Sequence, residues 1–352
     1  MASTAFPRLI TALFAWIAAI GFTSTAAWAQ EPALEATPSD ELPVVRVGLL
    51  RFGTVNWELD TLRHHGFGEA RGVRVDTVPL ASKSALTLAL QAGEIDLMVG
   101  DWLWVVGERQ RGGEYSFVPY STAVGSLIVR EGAGIERLRD LRGQRVGISG
   151  GPNDKNWILL RAYARRSLRE DLRGVTDQLF APPPLLNDLL ERGQIDLAIT
   201  NWNYAVRLQS RGFRALVRVR DVLPELGIAE PIPLLGWVFR EEWASAHGED
   251  LKAFIEASYA AKRLLASSDE EWTRLQPKLG LGVVEAQLDE LREGYRAGIP
   301  QRFGEAERAA VGRALAVLVD EAGARALGLE SDTLPEGTFW QGFASGEDTS
   351  SP

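Results

Sequence analysis

Three groups of residues in this chain have the types and spacing to do chemistry. Gly147-Ile148-Ser149-Gly150-Gly151 satisfies the G-x-S-x-G pattern of a serine nucleophile on a tight turn. That pattern needs a base and an oxyanion hole. Pro152 and Asn153 delay the following helix, no HGGG-like segment is present, and His247 is the only downstream histidine. A hydrolase built on Ser149 is therefore the poorer reading. The second group is a set of aromatic residues beside amides, carboxylates and serines: Trp57, Asp101, Trp102, Trp104, Asn156, Trp157, Asn201, Trp202, Tyr204 and Trp237. Aromatic faces with a few fixed polar groups recognise a flat, apolar or cationic ligand portion. The third group is Ser82, Ser149 and Gly150, set where helices begin, with free backbone N–H groups suited to an anion.

The elements that hold these groups repeat at an interval of one hundred residues. Residues 90–104 (LQAGEIDLMVGDWLW) are echoed by residues 190–204 (LERGQIDLAITNWNY). VGLL leading to Asn56-Trp57 is echoed by VGIS leading to Asn156-Trp157. Within the echo Asp101 becomes Asn201 and Trp104 becomes Tyr204. Two copies of one α/β unit predict two lobes with facing strand ends. Ligands of doubly wound sheets lie beyond the carboxyl ends of the strands, where the groups above fall. Asp96 and Asp196 also recur, but inside short apolar runs, which predicts bonds to nearby backbone N–H groups.

Composition narrows the function classes. A chain of 352 residues exceeds the span of one ordinary core, and 45% hydrophobic with 24% charged residues is usual for a globular protein. A net charge of −9 argues against nucleic acid as a partner. The absence of cysteine excludes disulfides, thiolate metal sites and cysteine nucleophiles. No cofactor or metal site is expected. His64 and His65 are adjacent and do not share a helix face, so solvated positions are expected for both.

Residues 1–29 read as a cleaved signal peptide: Arg8, an apolar run from Leu9 to Phe22, and Ala27-Trp28-Ala29 before the cut. A membrane span needs about 20 apolar residues, so no lasting insertion is expected. Residues 30–43 form a flexible lead-in and 341–352 a disordered tail. Between them strands and helices alternate: strands over 44–50, 73–80, 95–99, 141–149, 177–180, 195–199 and 231–239, with one or two across 115–130. Helices are expected at 57–67, 84–91, 102–111, 155–168, 185–192 and 203–211, and through most of 249–327. Ser268 and Glu271 have the spacing of a capping box. The arginine-rich run at 161–173 predicts a solvated helix face. The lobes are expected at 44–122, 123–235 and 236–340, the last returning to lobe one with the C-terminal helices.

This order, with lobe two inserted into lobe one, resembles the type II periplasmic-binding-protein fold: α/β, two doubly wound lobes joined by a two-strand hinge. The opening strand VRVGLL, VRVDTVPLASKSALTLALQAGEIDLMVGD (73–101), LRDLRGQRVGISGG (138–151) and AHGEDLKAFIEASYAA (246–261) resemble the nitrate/sulfonate/taurine-type branch of ABC-transporter substrate-binding proteins. The resemblance covers nearly all of 44–330. It departs at RFGTVNWELDTLRHHGF, where Trp57 replaces a small residue. The branch is also similar to thiamine-precursor proteins, some of which are enzymes with a cysteine-rich iron site that a cysteine-free chain lacks. The resemblance implies a monomeric, non-enzymatic periplasmic protein. It would bind a small organic anion or zwitterion (a sulfonate, a carboxylate or a pyrimidine-like solute) and deliver it to an ABC permease and its ATPase. A sensory module that reports the solute to a membrane partner is the alternative.

Overall fold

A computed structural model describes residues 41–51, 53–280 and 285–342. The segment expected to be a signal peptide, most of the expected lead-in and the end of the expected tail lie outside the described residues. Ten strands form two five-stranded sheets. Sheet one contains β1 (Val44–Leu50), β2 (Arg74–Leu80), β3 (Leu97–Asp101), β4 (Tyr115–Ser121) and β10 (Leu235–Arg240), in the order β2-β1-β3-β10-β4. Sheet two contains β5 (Ser126–Arg130), β6 (Arg145–Ser149), β7 (Asp177–Ala181), β8 (Leu197–Thr200) and β9 (Phe213–Arg218), in the order β7-β6-β8-β5-β9.

In each sheet the fourth strand in this order runs against its neighbours: β10 against β3 and β4, β5 against β8 and β9. The reason is the crossing itself. The chain leaves sheet one from the carboxyl end of β4 and enters sheet two through residues 122–125, so β5 must run away from that shared end. β10 does the same on the way back. The other strands of both sheets therefore end toward the interlobe face.

Lobe one carries α1 (Val55–His64), α2 (Lys83–Ala92), α3 (Trp102–Gln110), α9 (Glu241–Ala246), α10 (Gly248–Ser267) and α11 (Asp269–Leu275). Lobe two carries α4 (Lys155–Leu168), α5 (Leu172–Val175), α6 (Pro183–Glu191), α7 (Trp202–Gln209) and α8 (Val219–Val222). Two further helices follow, α12 (Glu285–Ala297) and α13 (Glu305–Ala322).

The repeat is visible in packing. Gly48 on β1 faces Leu86 and Ile95, and Gly147 on β6 faces Leu186 and Ile195, so closely that a Cβ at either glycine meets those side chains. The carboxylate of Asp96 accepts from the Arg46 backbone N–H at 2.7 Å, and Asp196 accepts from that of Arg145 at 2.7 Å. Both aspartates thus lock a neighbouring strand, as their recurrence predicts.

Five features differ from the sequence expectation. β9 is an additional strand, with Arg214 and Arg218 on one face and Phe213, Ala215 and Val217 on the other. α13 does not stay with lobe one but packs on α4, where the half-exposed Arg165 and the buried Arg161 reach the buried Glu321. The arginine-rich run is therefore partly an interhelix contact rather than a solvated face. At the capping box, Ser268 accepts from the Glu271 N–H at 3.1 Å, but the Glu271 carboxylate turns to Thr61, His65 and Arg274. His65 is thereby fixed against a carboxylate, not merely solvated. Past α13 the chain returns to lobe one: Phe117 N–H donates to the Thr338 carbonyl, and Gln110 holds residues 330–333.

Candidate functional site

Two helices begin at the facing strand ends with the same unusual residue. Lys83 is the first residue of α2 and Lys155 the first of α4. A cation is the wrong sign for the positive end of a helix macrodipole, so both helices forgo stability at this point. Their caps are otherwise good. Ser82 accepts from the Ala85 N–H at 3.1 Å, and Asp154 accepts from the Trp157 N–H at 3.1 Å.

Lys155 is buried, and its ammonium is paired across the lobes with the Asp101 carboxylate. Asp101 divides its two oxygens: Oδ1 caps α3 by accepting from the Leu103 N–H at 2.9 Å, while Oδ2 meets Lys155. Burial and the nearby Lys83 charge push the Lys155 ammonium well below the usual lysine range. Burial also raises Asp154, against backbone and side-chain hydrogen bonds and the charge of Lys83. Lys83, Asp101, Asp154 and Lys155 therefore form one electrostatic group spanning both lobes. Gly150, with φ of +85°, bends the chain out of β6 beside Asp154, a conformation that suits glycine.

A second interlobe contact is aromatic. Trp57 and the half-buried Trp202 meet edge-on with centroids 6.0 Å apart. Trp272 and Tyr295 pack behind Trp57 at 5.8 and 6.3 Å. Gly294 on α12 seats the Trp202 ring, since a Cβ there would stand 2.8 Å from it.

Most of the remaining residues expected in a cleft are buried or bonded within their own lobe. Trp102, Trp157 and Trp237 are wholly buried. Trp237 lies in the lobe-one core, donating to Ser258 at 3.0 Å with Phe254 and Tyr120 around it. Trp104 turns to Tyr115, 4.9 Å away, on the flank of α3. Asn156 accepts from the Gly125 N–H at 2.8 Å and so fixes the start of β5. Tyr204 is half-buried beneath the Arg207 guanidinium, 5.5 Å from its ring centroid. Asn201 is exposed at the start of α7, and Ser149 is buried at the end of β6. His247 bonds Asp250 at a helix corner of lobe one, so it is engaged away from Ser149. The Trp102 indole N–H and the Thr200 hydroxyl, at the ends of β3 and β8, are buried without a hydrogen-bond partner among the described residues.

Sequence reasoning named neither lysine as a site residue. The signal was present: a lysine at the first position of a helix in both lobes. An open groove of about 330 Å³ lined by Arg71, Glu249, Asp250, Lys252 and Glu256 lies on lobe one, built from residues other than these strand ends. Among the described residues no group of three His, Asp or Glu side chains is placed to hold a metal, and no helix is long and apolar enough to cross a membrane.

Two inserted lobes with facing strand ends and an interlobe charge cluster define a two-lobed binding-protein fold. The chain belongs to the NMT1/THI5-like family, whose model matches residues 62–271, more than half its length. Among solved structures it is similar to the periplasmic aliphatic sulphonate binding protein SsuA from Escherichia coli. That similarity has 15% identity and a TM-score of 0.67, covering 86% of this chain and 98% of that one. It is also similar to the alkanesulfonate-binding protein SsuA from Xanthomonas axonopodis pv. citri bound to MOPS, with 18% identity, a TM-score of 0.65, and coverage of 85% and 99%. The desulfurization enzyme DSZB shares the fold at 15% identity and a TM-score of 0.51, over 82% of this chain and 97% of that one. No curated protein sequence matches.

Proposed function

We propose that this protein is the periplasmic solute-binding component of an ABC importer, and that it binds a small organic anion between its lobes. The observation that carries the reading is the pair of lysines that open α2 and α4, one of them buried and within electrostatic reach of the other. Two helix N-termini and two ammonium groups make a site for a sulfonate or carboxylate group. Ser82 and the backbone at Gly150 would donate to the same group, and the half-buried Trp202 would flank the apolar portion. The similar proteins named for sulphonates and alkanesulfonates support this class of ligand. A ligand that touches both lobes favours closure by that differential contact, after which a permease and its ATPase would take the solute. Export through the segment at 1–29 fits the same reading.

Thermal-shift titration with MOPS, ethanesulfonate, taurine, short carboxylates and pyrimidines tests it. A sulfonate or carboxylate is expected to raise the melting temperature of the wild type and to leave Lys155→Met unmoved. Stabilisation by uncharged pyrimidines alone would refute the anion site.

A further inference from the structure

We infer that Asp101 is an internal competitor for the ligand's anionic group: in the free protein it occupies Lys155 and latches the lobes together. The inference rests on the anion-binding reading and assigns Asp101 a role that reading does not require. Three observations carry it. The carboxylate comes from lobe one and the ammonium from lobe two, so the pair bridges the cleft rather than bracing one wall. Asp101 is held for the purpose, because Oδ1 is fixed on the Leu103 N–H and only Oδ2 is free to reach Lys155. The repeat supplies the control. The equivalent position in lobe two is Asn201, which is exposed and makes no side-chain cap bond, so the charge at 101 is not a demand of helix capping.

The contact has a direct consequence for selectivity. A ligand must displace a tethered carboxylate from a buried ammonium, so bulky anions that cannot take its place are rejected. The displaced Asp101 stays capped on α3 and about one-third exposed, so its charge returns to water without loss of the helix start. If the latched form holds about nine-tenths of free molecules, apparent affinity is lowered about tenfold by the latch.

Asp101→Asn separates the roles, since asparagine caps a helix as well as aspartate but carries no charge. Small-angle scattering of the ligand-free protein is read alongside isothermal titration with MOPS and ethanesulfonate, for wild type, Asp101→Asn and Lys155→Met. The latch predicts a larger radius of gyration for both ligand-free variants. It also predicts about tenfold tighter binding to Asp101→Asn and none to Lys155→Met. Unchanged scattering in both variants, or weaker binding to Asp101→Asn, overturns it. If neither probe binds any of the three proteins, the anion reading fails by itself, and the scattering still decides the latch.

Discussion

The two lobes repeat each other where strand meets helix and part company where the strands end. Gly48 and Gly147 both admit a leucine and an isoleucine, and Asp96 and Asp196 both clamp an arginine backbone. At the strand ends, Asp101 caps and bridges while Asn201 is exposed; Asn56 bonds its own loop, and Asn156 bonds the crossing strand. Buried charge also differs. Lobe one encloses Glu58, which accepts from Ser258 at 2.5 Å and from Tyr295 at 2.8 Å and is paired with Lys262, itself 3.6 Å from the Tyr120 ring centroid. Burial pulls the Lys262 ammonium down, and Glu58 holds it up. Lobe two instead spends its buried Arg161 on Glu321 of α13, a helix from the far end of the chain. Packing shared by the copies is a property of the α/β unit. What differs is what each lobe is asked to hold.

The largest effect tests the buried charge. Glu58→Gln leaves Lys262 enclosed without its counter-ion and should destabilise by about 3–5 kcal/mol. Urea denaturation measures it; a loss near zero would make lobe one's network dispensable. Arg161→Met should act differently, loosening α13 more than the sheets. Hydrogen exchange is expected to rise in residues 305–322 while β6 and β8 stay protected.

The next pair tests the likeness. Gly48→Ala and Gly147→Ala each force a methyl onto leucine and isoleucine and should cost about 1–3 kcal/mol. Equal losses support equivalent packing, and a cost in one alone breaks it.

Acid sensitivity should belong mainly to lobe one. Burial works to raise the Glu271 carboxyl, but Arg274, His65 and Thr61 outweigh it and hold it at about 2. A carboxyl lowered by folding stabilises above its ordinary value near 4.5 and loses that contribution as pH falls through about 2. Glu271→Gln should therefore flatten the fall in melting temperature between those values. The smallest effect is at the caps. Ser82→Ala removes a bonded cap and should cost about 1 kcal/mol, whereas Asn201→Ala, with no such bond, should cost less.

Much of the architecture was legible because hydrophobic period and turn residues are local signals. β1 at 44–50 and α4 at 155–168 have the bounds that period and capping predict. β9 was not read as a strand, although Phe213, Ala215 and Val217 alternate with Arg214 and Arg218 as in a half-buried strand. The site was legible only in part. The echo directed attention to tryptophans, since large aromatic residues stand out in a sequence. Four of them, Trp57, Trp102, Trp157 and Trp237, proved to be core, because burial depends on which elements cover a side chain, and no local pattern records that. The two lysines were overlooked because a lysine near a helix start is unremarkable until its helix is placed against another.

By itself, then, the sequence determined the repeated α/β unit, the insertion of one lobe in the other, and the clamping role of Asp96 and Asp196. All of these follow from spacing along the chain. The tertiary structure alone decided that Lys155 is buried, that Asp101 reaches it from the other lobe, and that α13 rests on α4. Those are contacts between residues 54, or more than 150, positions apart. Their energies depend on burial and mutual distance, which exist only once the lobes are folded against each other.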